Sequence, residues 1–377
     1  MKQRTLSADE RVDWLRLART PGVGPVTFAQ LISRFHGATE ALDALPRLAR
    51  RGGRVDPMRI VSRSLAEGEI DAVERLGGRL FCACEPGFPT RLTTLDPPPP
   101  VITILGPLDP EAEWPCAMVG ARSASAVGIR FAGDLARELG ARGCVIVSGL
   151  ARGVDGAAHA GALQTGTIAV VGGGVDQIYP REHEALHREI AATGLIVSEM
   201  PVGYRATARD FPRRNRLISG LSLGVVVVEA AERSGSLITA RLAAEQGREV
   251  MAVPGSPLDP RAKGVNRLLR DGAALIENAD DVMDVLRGAS LSGLRAPSLF
   301  DYEDEPPRSE AIEEEADRIR EQIAELLSPS PVSRDELSRI TGAPIQAVSA
   351  ALVELELAER CEVAPGGLVR AAYPEPD

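Results

Sequence analysis

The sequence predicts an α/β protein in which a doubly wound parallel sheet of the Rossmann-like type is flanked by an N-terminal small helical domain and a C-terminal winged-helix-like domain. Two observations support this prediction. Between residues 86 and 288, seven short apolar runs rich in β-branched residues alternate with helical patterns. Runs that are apolar throughout are typical of parallel strands covered by helices on both faces. Outside this block, apolar residues recur at helical spacing.

Residues 1–85 predict a small helical domain of the SAM or helix-hairpin-helix type. The segments "WLRLA", "FAQLISRF" and "IDAVERLG" carry apolar residues three and four positions apart. The turn "TPGVGP" at 20–25 separates the first two segments. Its glycines could offer backbone N–H groups to a phosphate, or they could form an ordinary tight turn. Both interpretations stay open.

Residues 86–288 are predicted to form the Rossmann-like domain. Its strands are predicted at 101–105, 116–120, 144–148, 167–171, 195–199, 225–229 and 249–254. The connecting helices are predicted at 126–140, 154–165, 182–193, 213–222 and 236–247.

Residues 289–315 predict an acidic, disordered linker, because the segment combines Pro, Gly, Ser and acidic residues without an apolar face. Residues 316–377 then predict a winged-helix-like domain of three helices and two short strands. Its third helix begins "APIQAVSAALVELE" and contains no Arg or Lys. Because a DNA-reading helix needs such residues, this helix predicts a protein-contacting or structural role and argues against a transcription regulator.

The formal net charge of -10 is unevenly distributed. Residues 301–317 hold nine acidic residues and one arginine, so this segment accounts for most of the charge. The overall acidity therefore does not exclude a polyanionic partner for the rest of the chain.

The chain shows no signature of secretion or membrane insertion. No apolar run reaches a membrane span, the N-terminus lacks the apolar stretch of a signal peptide, and the five cysteines form no C-x-x-C pair. We therefore expect a cytoplasmic protein without a membrane span, whose cysteines are buried thiols and form neither disulfides nor a zinc site.

Four predicted strand ends carry small and polar residues. Since ligands of doubly wound sheets bind outside the carboxyl ends of the strands, where helix N-termini favour anions, these turns predict a phosphate-binding crevice. The candidate residues in these turns are Gly120, Arg122, Ser123, Ser148, Gly149, Arg152, Gly173, Ser234, Gly235 and Ser236.

The segment "DFPRRNR" adds a basic, aromatic cluster to the same rim. Its candidate residues are Phe211, Arg213, Arg214, Asn215 and Arg216. Arginine beside an aromatic ring is typical of single-stranded nucleic acid binding, with guanidinium groups on phosphates and the ring under a base. Alternatively, Phe211 is a core anchor and the arginines pair with nearby acids. We expect Arg122 to lie across one crevice from Arg213 and Arg216.

Other chemistry is less well supported. "HEALH" at 183–187 matches the H-E-x-x-H zinc pattern, but it lies in the first turns after Pro180 and no third ligand is evident. "VVGGGVD" lacks the G-x-G-x-x-G of dinucleotide folds, and "RSGSL" lacks the G-x-S-x-G of a serine nucleophile. We predict no metal, no cofactor and no catalytic residue.

Many motifs occur in one order: "DPPPPVITILG", "VGARSASAVG", "SGLARGVDGAAH", "GGGVDQIYP", "SEMP", "FPRRNRLISGLS", "VVVVEAAERSGSLITARLAAEQGREVMAVPG" and "GVNRLLRDGAALI". Together they resemble the DNA processing protein A (DprA, or Smf) family over about two hundred residues. The flanking segments fit its longer members.

The resemblance implies a non-enzymatic protein of natural transformation, or competence, that binds and protects incoming single-stranded DNA and helps load RecA recombinase. It also implies a homodimer. By position, the family's G-[ST]-R arginine is Arg122, and its F-P-x-R-N-R segment gives Phe211, Arg213, Asn215 and Arg216. Ala121 departs from the usual hydroxyl residue, and His183 stands where members often have Asn. The alternative is a nucleotide-processing enzyme of the lysine-decarboxylase-like (phosphoribohydrolase) fold, but its P-G-G-x-G-T pattern is missing.

Overall fold

The N-terminal domain consists of four helices around an apolar core. The computed structural model describes residues 3–291, 310–364 and 367–372. The helices are α1 (Ala8–Arg19), α2 (Pro25–Phe35), α3 (Ala38–Arg51) and α4 (Arg63–Arg75). Ser7 caps α1 in a capping box with Glu10, which satisfies N–H groups that the helix cannot pair. Trp14 packs edge-on against Phe28 at a centroid distance of 5.0 Å.

A nine-stranded sheet forms the centre of the molecule, in the order β1-β2-β6-β5-β4-β3-β7-β8-β9. Its strands are β1 (Arg79–Cys82), β2 (Val101–Leu105), β3 (Trp114–Val119), β4 (Cys144–Ser148), β5 (Thr167–Val170), β6 (Leu195–Ser198), β7 (Gly224–Val227), β8 (Glu249–Ala252) and β9 (Ala274–Leu275). All seven predicted strands are present, and the predicted doubly wound α/β class is confirmed.

The first two strands depart from the sequence prediction. β1 lies in a segment that we predicted as helical, and β2 pairs antiparallel with both β1 and β6. Local periodicity cannot report strand direction, because direction depends on which neighbour completes the ladder. The strands β3 to β9 form the parallel part of the sheet.

Helices cover both faces of the sheet. They are α5 (Thr90–Thr93), α6 (Ala126–Ala141), α7 (Val154–Ala162), α8 (Glu184–Thr193), α9 (Asp210–Gly220), α10 (Ser236–Glu245), α11 (Lys263–Arg270) and α12 (Ala279–Leu291), with short 3-10 turns at Arg181–His183 and Pro260–Ala262. One buried cluster joins α6, α7 and α12 to the sheet, and another joins α9, α10 and α11 to it.

The C-terminal domain has the order expected of a winged helix. It comprises α13 (Glu310–Leu326), β10 (Val332–Ser333), α14 (Arg334–Thr341), α15 (Ile345–Leu357), β11 (Cys361–Val363) and β12 (Leu368–Ala371), with strand order β10-β12-β11. Parts of the predicted linker are helical, since α12 extends to Leu291 and α13 starts at Glu310. Residues 292–309 of the predicted linker lie outside the described residues.

All five cysteine side chains are buried. Burial raises the pKa of Cys84 and of Cys144 to about 11, because the apolar surroundings disfavour a thiolate. Over the described ranges, no single helix is long and apolar enough to span a membrane, although the bent pair α14 and α15 passes by length and composition alone.

Candidate nucleic-acid interface

A cavity of about 260 Å³ opens at the carboxyl edge of the parallel strands. It lies between the loops that follow β3, β4 and β5 and the first turns of α9. The lining residues are Arg122, Ser123, Gly149, Ala151, Arg152, Val171, Gly172, Gly173, Gln177, Tyr179, Pro180, Ala206, Phe211 and Arg214. The structure thus brings together loops that are far apart in sequence, as the topology predicts.

The cavity does not lie at the topological switch point between β3 and β7. There, the Glu229 carboxylate accepts hydrogen bonds from the backbone N–H of Ser125, at 2.8 Å, and from its hydroxyl. The Ser125 hydroxyl in turn caps α6 by accepting from Gly128 N–H at 2.9 Å. A carboxylate of the protein itself therefore occupies the helix N-terminus that we predicted to receive a phosphate.

Arg214 forms the floor of the cavity and is itself buried. Its Nη1 donates to the carbonyls of Gly149, at 2.8 Å, and Val170. Burial lowers the pKa of Arg214 to about 10, and the nearby Asp155 carboxylate opposes this shift. A Cβ at Gly149 would come within 2.7 Å of the guanidinium, so only glycine leaves room for Arg214.

Asp155 organises the turn after β4. Its carboxylate accepts from the N–H groups of Gly149, at 3.1 Å, and Ala151, at 3.4 Å. Burial raises its pKa, and the Arg214 guanidinium opposes that rise. Asp155 thus connects the turn to the buried cation beneath the cavity.

Two aromatic rings and an exposed arginine form the mouth of the cavity. Tyr179 lies 5.4 Å from Phe211, centroid to centroid, with an angle of 39° between the rings. The guanidinium carbon of Arg122 lies 5.5 Å from the Phe211 ring, and that of Arg214 lies 6.0 Å from it. No carboxylate in the described ranges forms an ion pair with Arg122. The cavity therefore combines two cations with an aromatic pair.

The glycine-rich loop after β5 is shaped by close packing. A Cβ at Gly172 would lie 3.3 Å from the Phe211 ring, and one at Gly173 would lie 2.7 Å from the carbonyl oxygen of Tyr204. Gly174 packs against Pro201 and does not line the cavity. These glycines allow the segment that precedes α9 to close over the loop.

Arg152 and Ser123 complete the rim and are exposed. Arg152 forms an ion pair with Glu182, whose pKa is lowered by that hydrogen bond. Arg152 is therefore partly neutralised, unlike Arg122.

Several predicted site residues lie away from the cavity. Arg216 is buried in an ion pair with Glu199, and its Nη1 donates to the carbonyl of Pro97 at 3.2 Å. Ser148 is buried and donates to the carbonyl of Met118 at 2.6 Å, so it ties β4 to β3. The cavity thus pairs Arg122 with Arg214, whereas we expected Arg213 and Arg216 opposite Arg122.

The remaining candidates also lie outside the lining. Gly120 packs against Val154, where a Cβ would come within 2.5 Å of the valine side chain. At the start of α10, the Ser234 and Ser236 hydroxyls bond each other at 2.7 Å, and Gly235 lies between them in sequence. None of the three lines the cavity. The last two candidates on α9, exposed Arg213 and half-buried Asn215, are not among the lining residues.

Seven lining residues were not among the sequence-based candidates: Ala151, Val171, Gly172, Gln177, Tyr179, Pro180 and Ala206. Tyr179 was detectable, since "QIYP" places an aromatic residue in a glycine-rich strand-end loop. Gln177 and Ala206 carry no comparable signal, because only the folded loops bring them to the cavity.

The histidines of the "HEALH" motif bind separate backbone carbonyls. His183 Nδ1 lies 3.1 Å from the carbonyl oxygen of Leu150, and His187 Nε2 lies 3.0 Å from that of Val175. Glu184 pairs with Arg188. Across the described part of the chain, no group of three or more His, Cys, Asp or Glu residues is placed to hold a metal ion.

The sequence matches three family descriptions in chain order. Residues 8–72 match a DprA-like N-terminal HHH domain, residues 79–287 match DNA recombination-mediator protein A, and residues 305–367 match a DprA winged helix domain. The protein Smf of Escherichia coli (strain K12) is 37% identical over 311 residues, which cover 82% of this chain and 81% of that protein.

Two solved structures are similar over much of the chain. DNA processing protein A from Streptococcus pneumoniae aligns with a TM-score of 0.60 and 32% identity, covering 75% of this chain and 98% of that one. DNA processing protein A from Helicobacter pylori, whose single-stranded DNA binding mode has been described, aligns with a TM-score of 0.52 and 31% identity. That alignment covers 56% of this chain and 96% of that one.

The fold and these similarities define a DNA-processing protein whose Rossmann-like domain lies between an HHH domain and a winged helix domain. The chain belongs to the DNA recombination-mediator protein A family, also called DprA or Smf.

Proposed function

We propose that the cavity binds single-stranded DNA, with Arg122 on a phosphate and Phe211 in contact with a base. The observation that carries this proposal is the pairing of Arg122 and Arg214 with the Tyr179–Phe211 aromatic pair at one cavity mouth. Guanidinium groups and aromatic faces are the two groups that bind unpaired strands without reading sequence. The related Helicobacter pylori protein, described for its single-stranded DNA binding, supports the assignment.

The experiment is a comparison of three ligands by fluorescence anisotropy: single-stranded DNA, a duplex of equal length, and a mononucleotide. Single-stranded DNA should bind most tightly, because its bases are free to stack and its backbone is flexible enough to follow the cavity. Equal affinity for single strand and duplex would contradict the proposal. Preference for the mononucleotide would favour the nucleotide-processing alternative.

We propose further that the protein acts without catalysis. The carboxylate at the switch point, Glu229, is engaged by Ser125 and lies outside the cavity, which supports this view. The nucleotide-processing alternative predicts release of free base from nucleoside monophosphates. We expect no release when the protein is incubated with each of them and the products are separated by chromatography.

The biological setting that we propose is natural transformation, in which a cytoplasmic homodimer shields incoming single-stranded DNA and helps load RecA. Family membership supports this setting. Sedimentation of the full chain tests the dimer, and nuclease digestion of bound DNA tests protection. RecA loading predicts that the protein shortens the lag before RecA filaments form on single-stranded DNA.

A further inference from the structure

The winged helix domain lies directly against the N-terminal domain. Val353 and Leu357 of α15 belong to the same buried apolar cluster as the cores of α1, α2 and α3. The approach is closest at Gly52, where a Cβ would come within 1.8 Å of the carbonyl oxygen of Glu354. The C-terminal half of the helix that other winged helix domains place in a DNA groove therefore packs here against the protein itself, while its first residues, Ile345 and Gln346, are exposed.

Most charged groups at the contact are arginines on the N-terminal side and carboxylates on the C-terminal side. Two arginines of the C-terminal side also take part: Arg360 donates to the carbonyl of Gly52 at 3.2 Å, and Arg320 pairs with Asp317 and Glu354. Arg51 lies 2.6 Å from Asp317, 3.4 Å from Glu354 and 3.5 Å from Glu313, measured nitrogen to oxygen. Arg34 also pairs with Glu313. Glu313 and Asp317 belong to the acidic segment that dominates the net charge of the chain.

The acidic face also lies beside the glycine hairpin at 20–25, of which Pro21 and Gly22 remain exposed. The Thr27 hydroxyl donates to the Glu356 carboxylate, and a Cβ at Gly22 would lie 3.8 Å from the carbonyl oxygen of Glu356. Arg54 donates to the Glu359 carboxylate at 3.0 Å and to the carbonyl of Leu357 at 3.1 Å. No side chain caps the start of α2, and the first turn of a helix favours anions. The Glu356 carboxylate, which accepts from Thr27, lies beside this first turn.

The physical chemistry of this contact favours reversible docking. Burial raises the pKa of Glu354 and of Glu356, because removing a carboxylate from water disfavours its charged form. Ion pairs repay such desolvation only in part. The apolar share contributed by α15 consists of Val353 and Leu357, so little hydrophobic energy holds the two domains together.

We infer that the N-terminal domain carries a second binding site, for the phosphate backbone of nucleic acid, which the acidic face of the winged helix domain covers in this conformation. The site consists of Arg34, Arg51, Arg54 and Thr27 beside the hairpin at 20–25. The carboxylates stand where phosphate oxygens would bind. The uncapped start of α2 beside the hydroxyl and three guanidinium groups favours a phosphate chain over an acidic peptide. This inference goes beyond the proposed function, because the cavity at the sheet edge does not include these residues.

The first variant opens the contact without changing its charges, and a second variant changes the charges. Gly52 has φ -68° and ψ -8°, so Gly52→Ala is unstrained within the N-terminal domain but collides with Glu354. Gly68→Ala is the matched control, because no atom lies within 4 Å of its new Cβ. We expect faster hydrogen exchange in α3 and α15 for Gly52→Ala alone. The double variant Glu313→Lys/Asp317→Lys should act likewise. If neither opens the contact, the two domains form one fixed body and the proposal is overturned.

The binding measurement uses the full chain in an Arg122→Ala background, which weakens the cavity site. Adding Gly52→Ala should increase affinity for a dT oligonucleotide and for duplex DNA. For the single strand, the slope of log affinity against log salt should steepen by about 2, the value for three phosphate contacts. Further addition of Arg51→Ala should remove about 0.7 of that slope. An opened protein with unchanged slope, or one that gains affinity for polyglutamate and not for DNA, overturns the proposal. Failure of the cavity proposal would instead appear as unchanged DNA affinity in the protein that carries Arg122→Ala alone, in which the domain contact stays closed.

Discussion

Two arginine-rich regions of this molecule differ in what the arginines contact. At the contact between the terminal domains, Arg51 meets three carboxylates and Arg34 meets one. At the cavity, Arg122 has no such partner in the described ranges, and Arg214 donates to backbone carbonyls. In this conformation, therefore, a cluster of arginines is available to a ligand only where the fold leaves its charge uncompensated, as at Arg122, whereas Arg34 and Arg51 are engaged by carboxylates of the protein itself.

The same contrast exists within one helix. Arg214 and Arg216 lie two positions apart on α9, but Arg214 forms the cavity floor and Arg216 is neutralised by Glu199. Four predictions, given in order of decreasing effect, test which groups at the cavity are structural and which bind DNA.

Removal of the buried cation should have the largest effect. Arg214→Met leaves the Asp155 carboxylate buried without its nearest positive charge and removes two hydrogen bonds to carbonyls. We expect the free energy of unfolding to fall by about 3–5 kcal/mol, measured by urea denaturation. The double variant Arg214→Met/Asp155→Leu should recover part of this loss. A loss below about 1 kcal/mol would mean that Arg214 is not structurally required.

Loss of the aromatic ring should affect DNA binding without changing its salt dependence. Phe211→Ala should weaken single-stranded DNA binding by about 1–3 kcal/mol, because a base loses its stacking surface and no counterion is involved. The measurement is affinity as a function of salt, with Phe211→Tyr as the control that keeps a ring. If Phe211→Ala unfolds the protein, the ring is a core anchor and the alternative interpretation holds.

Acidification should destabilise the domain beneath the cavity. Buried His159 accepts a hydrogen bond from Leu150 N–H at 3.3 Å, and burial lowers its pKa to about 3. In the unfolded chain, His159 binds a proton near pH 6.5, whereas in the folded protein it stays neutral down to about pH 3. The stability that neutral His159 contributes is therefore present above pH 6.5 and is lost as the pH falls toward 3. We expect a loss of up to about 1.4 kcal/mol per pH unit.

The measurement for His159 is the urea midpoint from pH 7 down to pH 5. His159→Gln should flatten the curve in this range, since no group then takes up that proton. An equally steep curve for this variant would assign the pH dependence to other groups.

The smallest effect distinguishes the exposed arginines. Arg122→Ala should reduce the slope of log affinity against log salt by about 0.7, the value for one phosphate contact on a single strand. Arg152→Ala should reduce it less, because Arg152 is already paired with Glu182. Equal slopes for wild type and Arg122→Ala would show that Arg122 binds no phosphate.

The sequence by itself determined the strands and connecting helices of the Rossmann-like domain. Buried parallel strands must be apolar along their whole length, and the helices between them carry a periodic apolar face, so both leave a local signal. The turn residues Gly149, Arg152 and Gly173 also line the cavity. The carboxyl ends of all strands in one parallel sheet lie at the same edge, so the position of the cavity at that edge was predictable.

Only the tertiary structure decided which arginines face solvent and which charges are neutralised. Glu199 and Arg216 are separated by a loop, and Arg51 and Asp317 by most of the chain. Likewise, β1 is a strand because its backbone hydrogen-bonds to β2. The winged helix domain contacts the N-terminal domain partly through ion pairs such as Arg51 with Asp317. Charge compensation and strand pairing depend on distances across the fold, and local sequence carries no record of those distances.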